Sequence, residues 1–265
     1  MGLEDIQARV RANKQLFENL WLMELECPNV AANIMPGQFV HLEVPDLQAN
    51  ILRRPFSIFD RDEDAGTVEV LYQAVGIGTR AMRTWEPGLV TRMIGCIGRP
   101  WEVPYDTERA LLVGGGVGAA PLNLLCQELM ASDVDVDVIL GAQTEGALVC
   151  RARYERTCGR EPACSTDDGT YGREGFATML VEEALARAQA EGRPYDYAAV
   201  CGPEPLMRAA SQLFMEAGVR CQVSLERRMA CGVGACLSCV VDTASGKKRA
   251  CVDGPIFDAE EVLWR

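Results

Sequence analysis

Four cysteines near the end of the chain limit what it can fold around more sharply than any other feature. Cys231, Cys236 and Cys239 stand in a C-x4-C-x2-C run, and Cys251 follows twelve residues later. That is the plant-type spacing of a [2Fe–2S] site, in which four thiolates fill the terminal positions of two irons. Gly232 and Gly234 let the backbone curl around inorganic sulfide, because glycine accepts positive φ and close approach. Structural or disulfide cysteines and a zinc site are the competing readings, and zinc sites favour two short C-x2–4-C pairs.

The chain has 12 cysteines, and the other eight form no framework. Cys27, Cys96, Cys126, Cys150, Cys158, Cys164, Cys201 and Cys221 are scattered, as buried apolar thiols are in a reducing compartment. A cytoplasmic setting is therefore expected. The length of 265 residues suggests two domains and a small appendage, and 48% hydrophobic residues suffice for a full core. No run approaches a membrane span, and the polar start MGLEDIQARVRANK lacks an apolar signal core. A formal charge of −12 opposes non-specific binding to nucleic acid or anionic membrane.

From Asn19 to Arg99 short alternating runs are broken by turn residues, which favours a small antiparallel barrel. Strands are expected at Leu20–Leu25, Gly37–Val44, Arg54–Phe59, Thr67–Tyr72 and Leu89–Gly95, with a helix near Thr79–Trp85. Arg61–Gly66 reads as a solvated hairpin tip. Within the barrel, Pro55 fixes its own φ and biases Arg54 toward an extended conformation. Arg54 can then offer its planar fork to a pyrophosphate, and Ser57 a hydrogen bond to a ring nitrogen; an ordinary edge strand is the alternative. Gly76-Ile77-Gly78-Thr79 leads into the helix, with Thr79 read as the N-cap beside free amides suited to phosphate. Tyr72 suits either a ligand ring or the core. His41, the single histidine, falls in a strand and reads as structural.

Past Val103–Glu108 the pattern becomes strand, glycine loop, helix, strand. Arg109–Val113 runs into Gly114, Gly115, Gly116, Val117 and Gly118, then a helical stretch to about Met130 and a strand at Val134–Leu140. This opens an α/β nucleotide-binding domain, with half of the dinucleotide glycine fingerprint present and Ala119 at its final small position. An amphipathic helix over Gly175–Ala190 follows, and Tyr197–Val200 ends in the turn Cys201-Gly202-Pro203 before a further helix. Asp167-Asp168-Gly169-Thr170-Tyr171-Gly172 reads as a polar turn. Lys247, Lys248 and Arg249 sit on an expected hairpin, solvating its tip or meeting an acidic partner. In the tail, Phe257, Val262 and Leu263 are expected to pack inward.

Arg54-Pro55-Phe56-Ser57 with Gly78-Thr79 resembles the ferredoxin–NADP reductase superfamily, whose barrel holds FAD. The resemblance places Leu71, Tyr72 and Gln73 along the flavin, and departs from the closer pattern at Gln73 and at Cys96–Trp101. It places Cys201, Gly202 and Pro203 beside the nicotinamide. With SLERRMACGVGACLSC and DDGTYG in register, nearly the whole chain is similar to electron-transfer subunits of type B dihydroorotate dehydrogenase. That implies NAD rather than NADP, with Asp168 by the ribose and Arg173 the nearby group suited to a 2′-phosphate. It also implies a partner FMN-containing dihydroorotate dehydrogenase catalytic subunit, in an assembly of two plus two. The expected class is α/β plus all-β: an FAD-binding antiparallel β-barrel over 1–104, an open α/β NAD-binding domain over 105–222, and a small [2Fe–2S] module over 223–265. Alternatives are a subunit of a ferredoxin:NADP oxidoreductase or sulfide dehydrogenase and, from another class, a non-catalytic redox sensor.

Overall fold

The computed structural model describes residues 4–45, 47 and 52–264. The first part contains β1 (Asp5–Phe17), β2 (Leu20–Glu26), α1 (Pro28–Ala31), β3 (Phe39–Leu42), β4 (Arg54–Ser57), β5 (Asp60–Asp62), β6 (Thr67–Gln73), α2 (Ile77–Met82) and β7 (Val90–Ile97). Its strands form one antiparallel sheet in the order β4-β3-β7-β1-β2-β6-β5. The sheet curls until β4 approaches β6, giving a barrel-like layer around Val10, Met23, Leu25, Val40, Leu42, Val70 and Met93.

Strand β1 corrects the expectation that the barrel begins at Asn19. Ile6, Ala8 and Val10 alternate with charged and polar side chains, and Ala8 and Val10 are buried. The period of two is present, but Arg9, Arg11 and Lys14 on the solvent side make the stretch read as a polar terminus. A second correction concerns α2: Gly76 is its N-cap, and Thr79 is the third helical residue, accepting the Gly76 N–H at 3.1 Å.

The second part contains β8 (Arg109–Gly115), α3 (Asn123–Ala131), β9 (Asp135–Ala142), α4 (Arg151–Cys158), β10 (Ala163–Thr166), β11 (Arg173–Glu174), α5 (Ala177–Ala190), β12 (Tyr197–Cys201), α6 (Glu204–Glu216) and β13 (Arg220–Ser224). After it come β14 (Val240–Thr243), β15 (Gly246–Arg249) and β16 (Ile256–Asp258). The second sheet runs β11-β10-β9-β8-β12-β13-β16, parallel except for β16, which pairs antiparallel with β13. Strand β8 is buried along its whole length, as a central parallel strand covered on both faces must be. Between β8 and α3 the glycine loop winds as a 3-10 helix over Gly116–Leu122 instead of entering the α-helix directly. Pro121 lies inside that segment, where its missing N–H delays regular helix until Asn123. In the tail Phe257 and Val262 are buried, whereas Leu263 is exposed, contrary to expectation. Arg265 lies outside the described residues.

The two sheets are joined on one side by polar contacts. The Arg153 guanidinium on α4 bridges Asp60 and Glu69 of the barrel, the latter at 2.7 Å, and stacks 4.9 Å from the Phe59 ring. Asn123 Nδ2 donates to the Phe59 carbonyl at 2.9 Å, and Gln127 Nε2 donates to Asp60 at 3.0 Å.

Candidate functional site

Two clefts open at the junction of the sheets. The first, of about 420 Å³, is lined by Pro55, Phe56 and Ser57 from β4 and by Leu71, Tyr72 and Gln73 from β6. Its far wall is Ser224–Met229, the stretch leading into the cluster cysteines. Arg54 stands at the edge: its Nε is 2.7 Å from where a Cβ on Gly78 would lie, so the guanidinium packs directly on the start of α2. Strand and helix motifs far apart in sequence are thereby brought together. Thr79 is not free at this point, because its hydroxyl also accepts the Val75 N–H at 3.1 Å. Tyr72 borders the cleft with its ring, while its hydroxyl donates to Asn13 at 3.1 Å inside the barrel.

The second cleft, of about 680 Å³, lies at the carboxyl end of β8, between β9 on one side and β12 on the other. This is where the direction of strand succession reverses and open α/β sheets take their ligands. Gly115, Gly116, Gly118, Gly202 and Pro203 line it. A Cβ on Gly118 would lie 2.6 Å from Gly202 Cα, so the glycine loop and the β12–α6 turn meet backbone to backbone. Gly114 supports this from behind and is buried. Cys201 is 2% exposed, its thiol lies 3.7 Å from the Ser224 carbonyl, and burial raises its pKa strongly. It is a filler of the wall rather than a reactive group. Asp168 turns away as well: its carboxylate accepts the Thr170 N–H and hydroxyl at 3.0 and 2.7 Å. Of the two aspartates, Asp167 is the one that borders the cleft. Arg173 pairs with Glu183 at 3.5 Å.

Gln73, Val117 and Glu226 line both clefts, so the two share a wall. Glu226 opens toward solvent through the cleft but has protein packed around it, and that burial raises its carboxyl pKa. Glu226, Arg227, Arg228 and Met229 had no individual role in the sequence reading. The only available signal was two adjacent arginines immediately before a cluster motif.

The four motif cysteines fall into two pairs. Cys239 and Cys251 are 3.3 Å apart, and Cys231 Sγ accepts the amides of Val233 and Cys236, each at 3.4 Å. Burial raises the Cys231 pKa, but the amides of Val233 and Cys236, the Cys236 thiol and the Ala235 amide outweigh it and bring the thiol down to about 6. Burial and the adjacent Cys239 push Cys251 up to about 12. Among the described residues no three His, Cys, Asp or Glu side chains converge on a single ion. Two thiol pairs suit two irons, each taking two cysteines, better than one tetrahedral zinc. Gly232 has φ of +68°, the left-handed turn that curls the loop. Against it packs His41, fully buried, whose pKa burial lowers to about 4.

A flavin-type barrel, a nucleotide cleft adjoining it and a cysteine loop beside both define an NAD-linked flavin and iron–sulfur oxidoreductase subunit that uses FAD, NAD and a [2Fe–2S] cluster. The iron–sulfur cluster binding domain of dihydroorotate dehydrogenase B matches residues 226–263, and the oxidoreductase NAD-binding domain matches residues 112–212. A dihydroorotate dehydrogenase B (NAD(+)) electron transfer subunit from Desulforamulus reducens is 36% identical over 97% of each chain. That from Bacillus velezensis is 37% identical over 96% of each. The chain belongs to this family of electron transfer subunits. Among solved structures, the NADH-dependent reduced ferredoxin-NADP oxidoreductase, described for flavin-based electron bifurcation, superposes with a TM-score of 0.85 at 28% identity, covering 97% of this chain and 89% of that one. The ferredoxin reductase of carbazole 1,9a-dioxygenase shares the fold, with a TM-score of 0.67 at 23% identity over 82% and 66% of the chains.

Proposed function

We propose that this chain passes electrons between NAD and an FMN-containing dihydroorotate dehydrogenase catalytic subunit, in an assembly of two plus two, during cytoplasmic pyrimidine nucleotide synthesis. The observation that carries the reading is the wall that the two clefts share at Gln73, Val117 and Glu226, with the cysteine loop following directly from it. When bound, FAD supplies the exchange between two-electron hydride chemistry and the one-electron chemistry of the cluster.

The residues of the chain hold and orient these groups. Arg54 and the α2 start around Gly78 and Thr79 take the flavin pyrophosphate, where a planar fork and helix amides both favour anions. Pro55, Phe56 and Ser57 face the ring from β4, with Ser57 a hydrogen-bonding group for its N5, while Leu71, Tyr72 and Gln73 line the remainder. Gly114, Gly115, Gly116 and Gly118 let the dinucleotide approach the backbone. Gly202 and Pro203, with Cys201 behind them, leave room for the nicotinamide to reach the first cleft. The Asp167–Asp168 turn favours NAD over NADP, since acidic groups accept bonds from ribose hydroxyls and repel a 2′-phosphate. Cys231, Cys236, Cys239 and Cys251 ligate the cluster.

The test is a division of labour. The isolated chain with its cofactors should oxidise NADH with an artificial acceptor and leave dihydroorotate untouched. Cys236→Ser should retain NADH-to-dye activity and lose transfer to the partner's flavin. Dihydroorotate turnover by the chain alone, or unchanged transfer in the variant, would refute the reading. Among the described residues no helix is long and apolar enough to cross a membrane.

A further inference from the structure

Two thiols outside the cluster motif are in contact. Cys126 on α3 and Cys158 at the end of α4 are 32 positions apart in the chain, yet their Sγ atoms stand 3.3 Å from each other. Cys126 is 0% exposed, whereas Cys158 is half-buried. Cys158 lines a third cleft, of about 230 Å³, built from β9, α5 and the turn after α4, with Asp137, Arg160 and Arg187 along it. A hydrogen bond from Cys126 holds the Cys158 thiol below its usual 9.0, helped by the Arg160 guanidinium and opposed by burial and Asp137. The same contact, together with burial, raises Cys126. The thiol that borders the cleft is therefore the one that ionises more readily, and the thiolate is the form that attacks disulfides. Its buried neighbour stands directly behind it.

We propose that Cys126 and Cys158 form a thiol–disulfide exchange site, where a small disulfide of the glutathione type enters the third cleft and leaves α3 and α4 covalently joined. Cys158 Sγ, as thiolate, attacks one sulfur of the incoming disulfide, forming a mixed disulfide and releasing one glutathione thiolate, which takes up the Cys158 proton through solvent. Cys126 Sγ then attacks Cys158 Sγ and displaces the second glutathione, which leaves with the Cys126 proton. Two protein thiols are oxidised, and one disulfide is reduced to two thiols. The bond joins the helices that hold Asp60 of the barrel from two directions, through Gln127 beside Cys126 and through Arg153 one and a half turns before Cys158.

The experiment uses the full chain with FAD and cluster bound, equilibrated without oxygen in mixtures of glutathione and glutathione disulfide. Peptide mapping of the native chain should find the Cys126 and Cys158 peptides linked, at the mass of two hydrogens below their sum, and dithiothreitol should separate them. The linked fraction should follow [GSSG]/[GSH]², rising from one-tenth to nine-tenths over about an 80-fold increase in that ratio. Cys126→Ser should stop at a glutathione mixed disulfide on Cys158, and Cys158→Ser should give neither product. Closing the loop between α3 and α4 should lower the unfolding equilibrium constant in urea about 30-fold relative to the reduced chain, with no such response in Cys158→Ser. The iron and sulfide count should be unchanged by the treatment, since the cluster cysteines take no part. A mixed disulfide that accumulates on native Cys158 without linkage, linkage of either thiol to a different cysteine, or a linked chain no harder to unfold than the reduced one would overturn the proposal.

Discussion

Arg153→Ala tests whether the two sheets are held in register by one side chain. The guanidinium leaves α4 and reaches Asp60 on β5 and Glu69 on β6, with a 23% exposed side chain against partners at 16% and 25%. Exposed ion pairs contribute about 0.2–1 kcal/mol, and removing one partner of a buried pair costs about 3–5 kcal/mol. A half-buried bidentate bridge falls between these limits, and the ring contact with Phe59 adds about 0.5–1 kcal/mol. Truncation also leaves Asp60 and Glu69, cross-strand partners at the β5–β6 pairing, facing each other without a cation. Asp60 keeps its bonds from Gln127 and the Arg61 amide, which limits the loss. The expected cost is about 2 kcal/mol, roughly a 30-fold fall in the folding equilibrium constant. Urea denaturation of the native chain, Arg153→Ala, Asp60→Ala and the double variant should show a coupling energy of about 1 kcal/mol or more, weakening as salt is added. NADH affinity should fall with it, because the glycine loop is carried by the sheet that the bridge fixes. A loss below about 0.5 kcal/mol with no coupling would refute the latch and leave Asn123 and the apolar contacts holding the junction.

Gly118→Ala should raise the KM for NADH at least about tenfold, because the new Cβ meets backbone at Gly202 that cannot yield without moving the cleft wall. Steady-state kinetics check this, and an unchanged KM would show that the loops separate freely. A pH experiment addresses Asp137: burial raises its carboxyl, but bonds from Tyr195 at 2.6 Å and Arg109 at 2.9 Å, with Arg160 beside it, outweigh this and hold it below the usual 3.8. Because the folded carboxyl is the stronger acid, its contribution is complete above the unfolded value and is lost as pH falls through the folded one. Asp137→Asn should therefore be less stable at pH 7, with the difference narrowing below about pH 4 in thermal melts. A constant difference across that range would rule out this linkage.

The order of flavin barrel, nucleotide sheet and cysteine loop was legible because each part depends on local chemistry. Cysteine spacing, glycine runs at strand ends and alternating apolar residues all act within a few positions of one another. Strand β1 was hidden by its solvent face, since only Ile6, Ala8 and Val10 of its first six residues carry the apolar alternation. Asp168 illustrates a different limit. Two adjacent aspartates are equivalent in sequence, and only the turn closed by Thr170 decides which one faces the cleft. The wall formed by Glu226 to Met229 was hidden for a topological reason. It faces the flavin cleft because β13 ends beside β4, a relation between residues more than 160 positions apart that no local pattern records.

The pairing of β13 with β16 has a consequence for how the chain can be cut or assembled. The cysteines are threaded between these two hydrogen-bonded strands, so the loop that carries them is an excursion from the nucleotide sheet, returning at Ile256 to cover its edge. Ending the chain after Ser224 would strip that cover and leave β13 with unpaired backbone groups, a template for self-association. The iron–sulfur loop is therefore not a detachable cartridge. The sheet is complete only once the ribosome has passed the last cysteine, which ties closure of the nucleotide fold to the segment that must receive the metal.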